Sequence, residues 1–523
     1  MARLGPAGLE GPFGLALDVG GGRRLLARDA LATKPLFWTA CDGAVRAAGD
    51  PQTLLIGTTP EADERAVLEW LVYRQVMAPA TLFRSVMALE PGTAAIVGPG
   101  DRDVVATRFA SALDLLSAER HAELDRMAEG TLLDEVERTL LGCVERACRG
   151  HDEAGVLLSG GIDSAMVAAM ARQFAKVTGF TMGIDGAEAL DETSRAAAMA
   201  KKLEIPLVTV RVSPRDYARL VPGGDGRAGG TVVPCRQCRL QRRLRPADGA
   251  GGRTRHHPGA WRRQRRDGAR RAAGTGDRPA LAGAGRPLAR PAAGWCAGGD
   301  AEAAARPRRA AGDGTRADIE RAGRFAVGRF RGRARLDAQA MAAARFLRDP
   351  LERRVKATAV ADLLNWLPRF SERDAIAGAA HGVDFGLPYH DAAMMRLGLN
   401  LPLRYLMRPR GWRAGQSVEK WTLAQIAPRH LGDAGFFHRS TVWSSPQRQF
   451  VEPLAAPLLT PDGYVAGLMR LDAAGLEREV AAARRDPSQL AKLVHLELWG
   501  RVCLRGEEPA ALGEWIVAAV DRP

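Results

Sequence analysis

Val156-Leu157-Leu158-Ser159-Gly160-Gly161-Ile162-Asp163-Ser164 decides how this chain folds. The apolar run Gly155–Leu158 reads as a short buried β-strand, and the Ala- and Met-rich stretch Ser164–Phe174 reads as a helix. Between them, Gly160 and Gly161 let the backbone turn tightly and approach an anion closely. The first free N–H groups of the helix then face that anion, aided by the helix dipole. Ser159 and Ser164 add hydroxyl donors. Asp163 repels phosphate as a bare anion, so its expected role is to hold a Mg²⁺ that bridges phosphate oxygens. The turn has neither the Gly-Lys-Ser/Thr ending of a Walker loop nor the GxGxxG spacing of a dinucleotide turn. An ordinary strand-to-helix turn capped by Asp163 is the plainer alternative. The full hexapeptide between strand and helix favours nucleotide phosphate.

Working outward, a second β run (Val177–Ile184), a helix (Glu192–Leu203) and a third β run (Pro206–Val212) follow. Strand, helix, strand, helix, strand predicts a parallel sheet with right-handed crossovers. Upstream, Phe13–Asp18, Arg24–Ala27, Pro35–Ala40 and Val45–Ala48 read as two hairpin-type strand pairs. Glu64–Val76 and Leu132–Arg149 have helical spacing, and 350–523 is expected to be mostly helical, with its Trp residues (366, 412, 421, 443) in the core.

The 523 residues suffice for two or three domains. The stretch Met1 to Gly22 lacks a signal pattern and no run of about 18 apolar residues occurs, so a soluble, cytoplasmic protein is expected, with no membrane partner. Seven scattered cysteines do not form a disulfide framework, and the lone Cys235/Cys238 pair has no second pair at zinc-ribbon spacing.

With these residues in view, the chain resembles the asparagine synthetase family, whose pyrophosphate loop the 159–164 hexapeptide matches. Gly179 to Ile184 resembles that family's second strand, Asp191-Glu192 with Ala197 to Leu203 its Asp-Glu helix, and Leu363 to Leu367 with Asp374 its Leu-Pro-Asp helical stretch. Asp384-Phe385-Gly386-Leu387-Pro388-Tyr389-His390-Asp391 resembles its Glu-Ala-Arg-Val-Pro-Phe-Leu-Asp segment. Leu26 to Asp29 with Lys34 to Phe37 resembles the closing strands of its glutaminase domain, although Ala2 stands where the nucleophilic Cys belongs.

The resemblance implies an α/β ATP-pyrophosphatase fold (adenine nucleotide alpha hydrolase-like) over 126–523 and a truncated, β-rich glutaminase-like remnant over 1–110. It implies ATP contacts from Leu158, Ser159, Gly160, Gly161, Asp163, Ser164 and Met182, the last against adenine, with Mg²⁺ on Asp163. It places Asp384 at a catalytic acid and leaves Arg439, in place of a family Lys, to stabilise charge; an Arg cannot shuttle protons. His390, between Tyr389 and Asp391, is expected to be structural rather than a base. The implied chemistry is an asparagine-synthetase-type ligation: a carboxylate (aspartate in the family) is adenylated with pyrophosphate release, and ammonia or an amine displaces AMP. Glutamine hydrolysis is not expected. Gly386, where the family has Arg, leaves open a peptide or amino-acid-derived substrate with its own amine, as in β-lactam synthetases or lasso-peptide cyclases. A third alternative is an inactive family member.

That third alternative comes from residues 221–330, which hold 24 Arg, no Lys and 9 acidic residues. Their +15 equals the net charge of the whole chain, so the basicity belongs to one segment and a nucleic-acid partner is not expected. Only 11 of these 110 residues are Val, Leu, Ile, Phe or Met, too few to offset chain entropy, and disorder is the expectation. A solvated linker, a nucleic-acid arm or a basic domain is conceivable; translation out of frame from GC-rich DNA is the preferred reading. The family's Gly-Gly-Asp loop, expected within 225–330, is missing, and Gly259 to Gln264 shifted by one nucleotide is compatible with Glu-Pro-Gly-Gly-Asp-Asn. Resequencing the gene is expected to reveal compensating indels around this segment; an intact frame with peptide masses matching 221–330 as written would refute it.

Overall fold

The computed structural model describes residues 11–41, 43–73, 75–101, 104–186, 191–227, 259–261, 334–409, 417–432 and 447–521. Two antiparallel sheets form the N-terminal unit. One has the order β1 (Gly14–Asp18), β2 (Arg24–Arg28), β6 (Thr93–Val97), β7 (Thr107–Arg108); the other has the order β4 (Ala44–Ala48), β3 (Phe37–Cys41), β5 (Met87–Ala88). Both expected hairpins are present, Gly14 pairing with Arg28 and Phe37 with Ala48. Alternation puts Leu26, Ala95 and Val97 of one sheet against Trp38 and Val45 of the other.

The helices α1 (Pro51–Leu55) and α2 (Glu64–Tyr73) complete this unit, and α3 (Ala118–Arg126) and α4 (Glu129–Cys148) lead to the second. There β8 (Glu153–Leu157), α5 (Ile162–Ala171), β9 (Lys176–Ile184), α6 (Thr193–Lys202), β10 (Leu207–Val212) and α7 (Pro214–Arg227) alternate as the sequence pattern requires. With β11 (Gly259–Trp261) and β12 (Phe385–Gly386) they make a five-stranded sheet of order β10-β9-β8-β11-β12, in which each pairing is parallel. β8 therefore has sequence-later strands on both sides, and its C-terminal end is a topological switch point.

Both faces of this sheet are covered, which explains its continuous apolar strands. On one face Val156, Leu158 and Val177 pack against α4 and α5. On the other Met182, Ile184, Val210 and Val212 meet α7 and the C-terminal helices. Strand β11 and the end of α7 fall in the segment expected to be disordered, and that expectation is corrected there: α7 runs to Arg227 and Gly259–Trp261 is hydrogen-bonded into the sheet. The rest of that segment, with Cys235 and Cys238, lies outside the described residues.

As anticipated, 350–523 is mostly helical. It comprises α8 (Pro350–Ala379), α9 (Ala392–Asn400), α10 (Leu403–Leu406), α11 (Trp421–Leu431), α12 (Gln447–Leu458), α13 (Tyr464–Met469), α14 (Ala473–Ala483), α15 (Pro487–Trp499) and α16 (Pro509–Val520), with a hairpin of β13 (Met407–Pro409) and β14 (Ser417–Glu419) before α11. Trp421 is buried in the core and Trp366 lies within α8; Trp412 and Trp443 lie outside the described residues. No described helix is long and apolar enough to cross a membrane.

Asp349 caps α8 by accepting from the Leu351 and Glu352 amides, with Pro350 at its first turn. Further along, α8 presents Glu372 to the N-terminal unit. Arg28 Nη1 lies 2.7 Å from Glu372 Oε1, both side chains 1 % exposed, and Arg369 pairs with the other oxygen at 2.6 Å. Arg28 also donates to the carbonyls of Lys34, Leu89 and Ala32. Burial alone would raise the Glu372 carboxyl; the Arg369 and Arg28 guanidiniums outweigh it and hold the carboxyl below its usual range.

His390, one turn before α9, is equally buried, and its Nδ1 meets Ser371 Oγ at 2.9 Å. Its Nε2 has no hydrogen-bond partner. Burial pushes its pKa down to about 3, so the ring is neutral and structural, in accord with the sequence reading. The unfolded chain takes up this proton near pH 6.5 and the folded chain does not until about pH 3. Stability is thus complete above pH 6.5 and is expected to fall by about 1.4 kcal/mol per unit of acidification below it. Denaturant titrations from pH 7.5 to 5 should show this slope, and His390→Asn should remove it.

Candidate active site

The 159–164 turn forms where β8 ends, and its geometry explains each residue type. Gly160 has φ +68°, and a Cβ there would stand 2.5 Å from the Arg195 Cβ and 2.9 Å from its carbonyl oxygen on α6. Only glycine satisfies both constraints. Gly161 precedes α5 and provides no side-chain cap, so the first N–H groups of the helix keep their capacity for an anion. The two serine hydroxyls close the turn on themselves: Ser159 Oγ and Ser164 Oγ are 3.2 Å apart, and Ser164 Oγ donates to the Gly161 carbonyl at 3.1 Å. Leu158 is buried and its amide donates to Phe180 at 2.7 Å, which fixes the root of the turn. The β8–β9 register pairs Leu157 with Phe180, so Met182 stands level with Ser159 on the adjacent strand. Leu158, Ser159, Gly160, Gly161, Asp163, Ser164 and Met182 are thus brought together at the C-terminal end of the sheet.

Asp163 is wholly buried, and two residues from the C-terminal half reach it. Lys420 Nζ donates to Asp163 Oδ2 at 2.5 Å, and the Tyr389 hydroxyl donates to the Asp163 carbonyl at 3.2 Å. Lys420 occupies a left-handed conformation (φ +58°) immediately before α11. Its position is set on both sides. The β13–β14 hairpin pairs Met407 with Glu419, and the next residue, Trp421, is held under the Arg408 guanidinium at 3.6 Å and beside Tyr405. Sequence reading missed Lys420. Its signal was scarcity, since it is the one lysine between Lys356 and Lys492.

The structure does not bring Asp384 to this turn. Phe385 is level with Ala260 and thereby with Gly155, so Asp384 lies at the N-terminal end of the sheet. Ser159 is about five residues further along, roughly 16 Å at 3.3 Å per residue. Asp384 instead pairs with Lys34 of the N-terminal unit at 2.5 Å. Asp384 thus lies away from the turn at which it was expected to act, whereas Tyr389 from the same segment reaches it. Arg439 lies outside the described residues.

The turn offers a phosphate chain the helix N–H groups, with the Lys420 ammonium held on Asp163 and the two serine hydroxyls engaged with each other. Magnesium on a nucleotide needs one or two protein carboxylates, phosphate oxygens and water completing its shell. Asp163 is the one carboxylate of the turn, and Lys420 holds its Oδ2. Among the described residues no group of three His, Cys, Asp or Glu side chains forms a protein-only metal site.

The asparagine synthase family profile matches residues 135–223, which includes the turn, and the glutamine amidotransferase domain profile matches 5–109. Over these segments the chain is similar to the asparagine synthetase family. Among its relatives, glutamine-hydrolysing asparagine synthetase 1 of Bacillus subtilis (strain 168) is 26% identical over 198 residues, 38% of this chain and 30% of that protein. A Mycobacterium bovis protein assigned as a glutamine-hydrolysing asparagine synthetase is 29% identical over 221 residues, 41% of this chain and 33% of that protein. The chain thus spans about a third of the length of the asparagine synthetases it matches.

Removing one partner of a buried ion pair leaves the other charge uncompensated, at a cost of about 3–5 kcal/mol. Lys420→Met is expected to destabilise the protein on that scale, whereas Lys420→Met with Asp163→Asn should recover most of the loss. Denaturant unfolding of the two single variants and the double variant gives the coupling; additive losses would show that the two side chains are independent.

Proposed function

We propose that this chain is an ATP-dependent ligase of the asparagine synthetase type that adenylates a carboxylate and transfers the acyl group to ammonia or an amine. The observation that carries the reading is the uncapped N-terminus of α5 at the sheet's switch point, with Lys420 and Asp163 beside it. In this reading 126–523 is an ATP-pyrophosphatase-type synthetase unit and 1–110 a glutaminase-like unit.

A substrate carboxylate oxygen attacks the α-phosphorus of ATP, and the bond to the β-phosphate oxygen breaks. The α5 N–H groups and the Ser159 and Ser164 hydroxyls hold the departing pyrophosphate, whose charge grows as the bond breaks. Lys420 adds a positive charge that burial strengthens. Leu158 anchors the turn, and Met182 borders the adenine. Asp163 would carry the Mg²⁺, which supplies further neutralisation of the phosphates when bound. The amine nitrogen then attacks the acyl carbon, AMP leaves, and the nitrogen gives up a proton. Positioning and charge stabilisation account for the protein's contribution.

The test is product identity. With ATP and Mg²⁺, incubation with aspartate and ammonium, and separately with amino-acid-derived or peptide carboxylates bearing an amine, should give equal amounts of AMP and pyrophosphate. Turnover with aspartate and ammonium identifies the ammonia-using reaction; turnover only with an amine-bearing carboxylate identifies internal amide formation. Ser164→Ala should lower kcat/KM for ATP about tenfold, the scale of one hydrogen bond to a charged group. ADP and phosphate as products, or no turnover with any of these substrates, would overturn the reading.

A further inference from the structure

A second cavity lies at the other end of the parallel sheet. Its volume is about 1170 Å³, and both units line it. The N-terminal unit contributes Phe13, Lys34 and Pro35, and the C-terminal half contributes Ile376 near the end of α8, with Val383 and Asp384 just beyond. Two properties of its wall are chemically specific. Much of it is apolar, Asp50 and His151 also line it, and its rim carries a cation and an anion in direct contact, Lys34 Nζ and Asp384 Oδ1 at 2.5 Å. These side chains are 34% and 69% exposed, so their mutual attraction contributes little and opening the pair costs little.

We propose that this cavity binds a free amino acid with a large apolar side chain, separately from the phosphate site. The α-ammonium and α-carboxylate of an amino acid repeat the rim pair with its charges reversed, separated by the same short distance. Exchange of partners puts the α-carboxylate on Lys34 and the α-ammonium on Asp384, replacing one exposed pair by two charge-assisted contacts. The side chain then enters the apolar interior between Phe13, Pro35, Ile376 and Val383. Clefts between two units, mostly apolar with few placed charges, are the usual setting for small-ligand binding. Either charge alone would select an acid or an amine; the adjacent pair selects both on one carbon.

The measurement is calorimetric titration of the full chain with L-leucine and L-phenylalanine, beside N-acetyl-L-leucine and L-leucinamide, each of which lacks one charge. Saturable binding of at least one free amino acid is expected, with about tenfold or greater weakening in both blocked derivatives. Lys34→Met and Asp384→Asn should weaken it similarly, and Lys34→Arg and Asp384→Glu should retain it. ATP affinity, titrated in the same variants, should be unchanged, so that failure of this site is distinguishable from failure of the phosphate site. Absence of saturable binding, equal binding of the blocked derivatives, indifference to both Lys34→Met and Asp384→Asn, or competition by ATP would overturn the proposal.

Discussion

A carboxylate that is wholly buried must have a compensating charge, and Asp163 meets that requirement with Lys420 from a segment 257 residues later. Much of the C-terminal half can be understood as the scaffold for this contact. The β13–β14 hairpin fixes where Lys420 emerges, and Arg408 and Tyr405 hold the adjacent Trp421. Helix α11 then packs its buried face, Leu423, Ile426 and Ala427, into the core shared with α4 and α5. Tyr389 adds a second tether to the same residue. The turn is thereby held by two residues of the C-terminal half, which suits a site whose task is to hold charge in place rather than to move.

What sequence alone revealed follows from the range of the interactions involved. The 159–164 turn was legible because strand, glycines and helix are consecutive, and the positive φ of Gly160 is one that glycine adopts freely. The parallel sheet around β8, β9 and β10 was legible for the same reason. Lys420 was not, because nothing in Glu419-Lys420-Trp421 announces which distant carboxylate it meets. Asp384 misled for the converse reason: its neighbours match a family segment, yet the register of β12 places it at the wrong end of the sheet. A shift of five residues along a strand is invisible in one dimension and decisive in three.

The middle of the chain separates composition from topology. An Arg-, Ala- and Gly-rich stretch predicts no element, yet the slot beside β8 takes Gly259–Trp261 as a strand. Backbone hydrogen bonding asks only for an extended segment of the right direction. Such a slot accepts many sequences, whereas the turn at the end of β8 accepts very few.

The Arg28–Glu372 pair has a consequence for what can be lost. Arg28 belongs to the β-rich unit and Glu372 to the helix beneath the synthetase-like half, so the charge balance of one is completed by the other. The β-rich unit is therefore a counter-ion as well as a fold. Its removal would leave Glu372 with Arg369 as the remaining ion-pair partner. One buried guanidinium in this way ties the two halves into a single electrostatic unit.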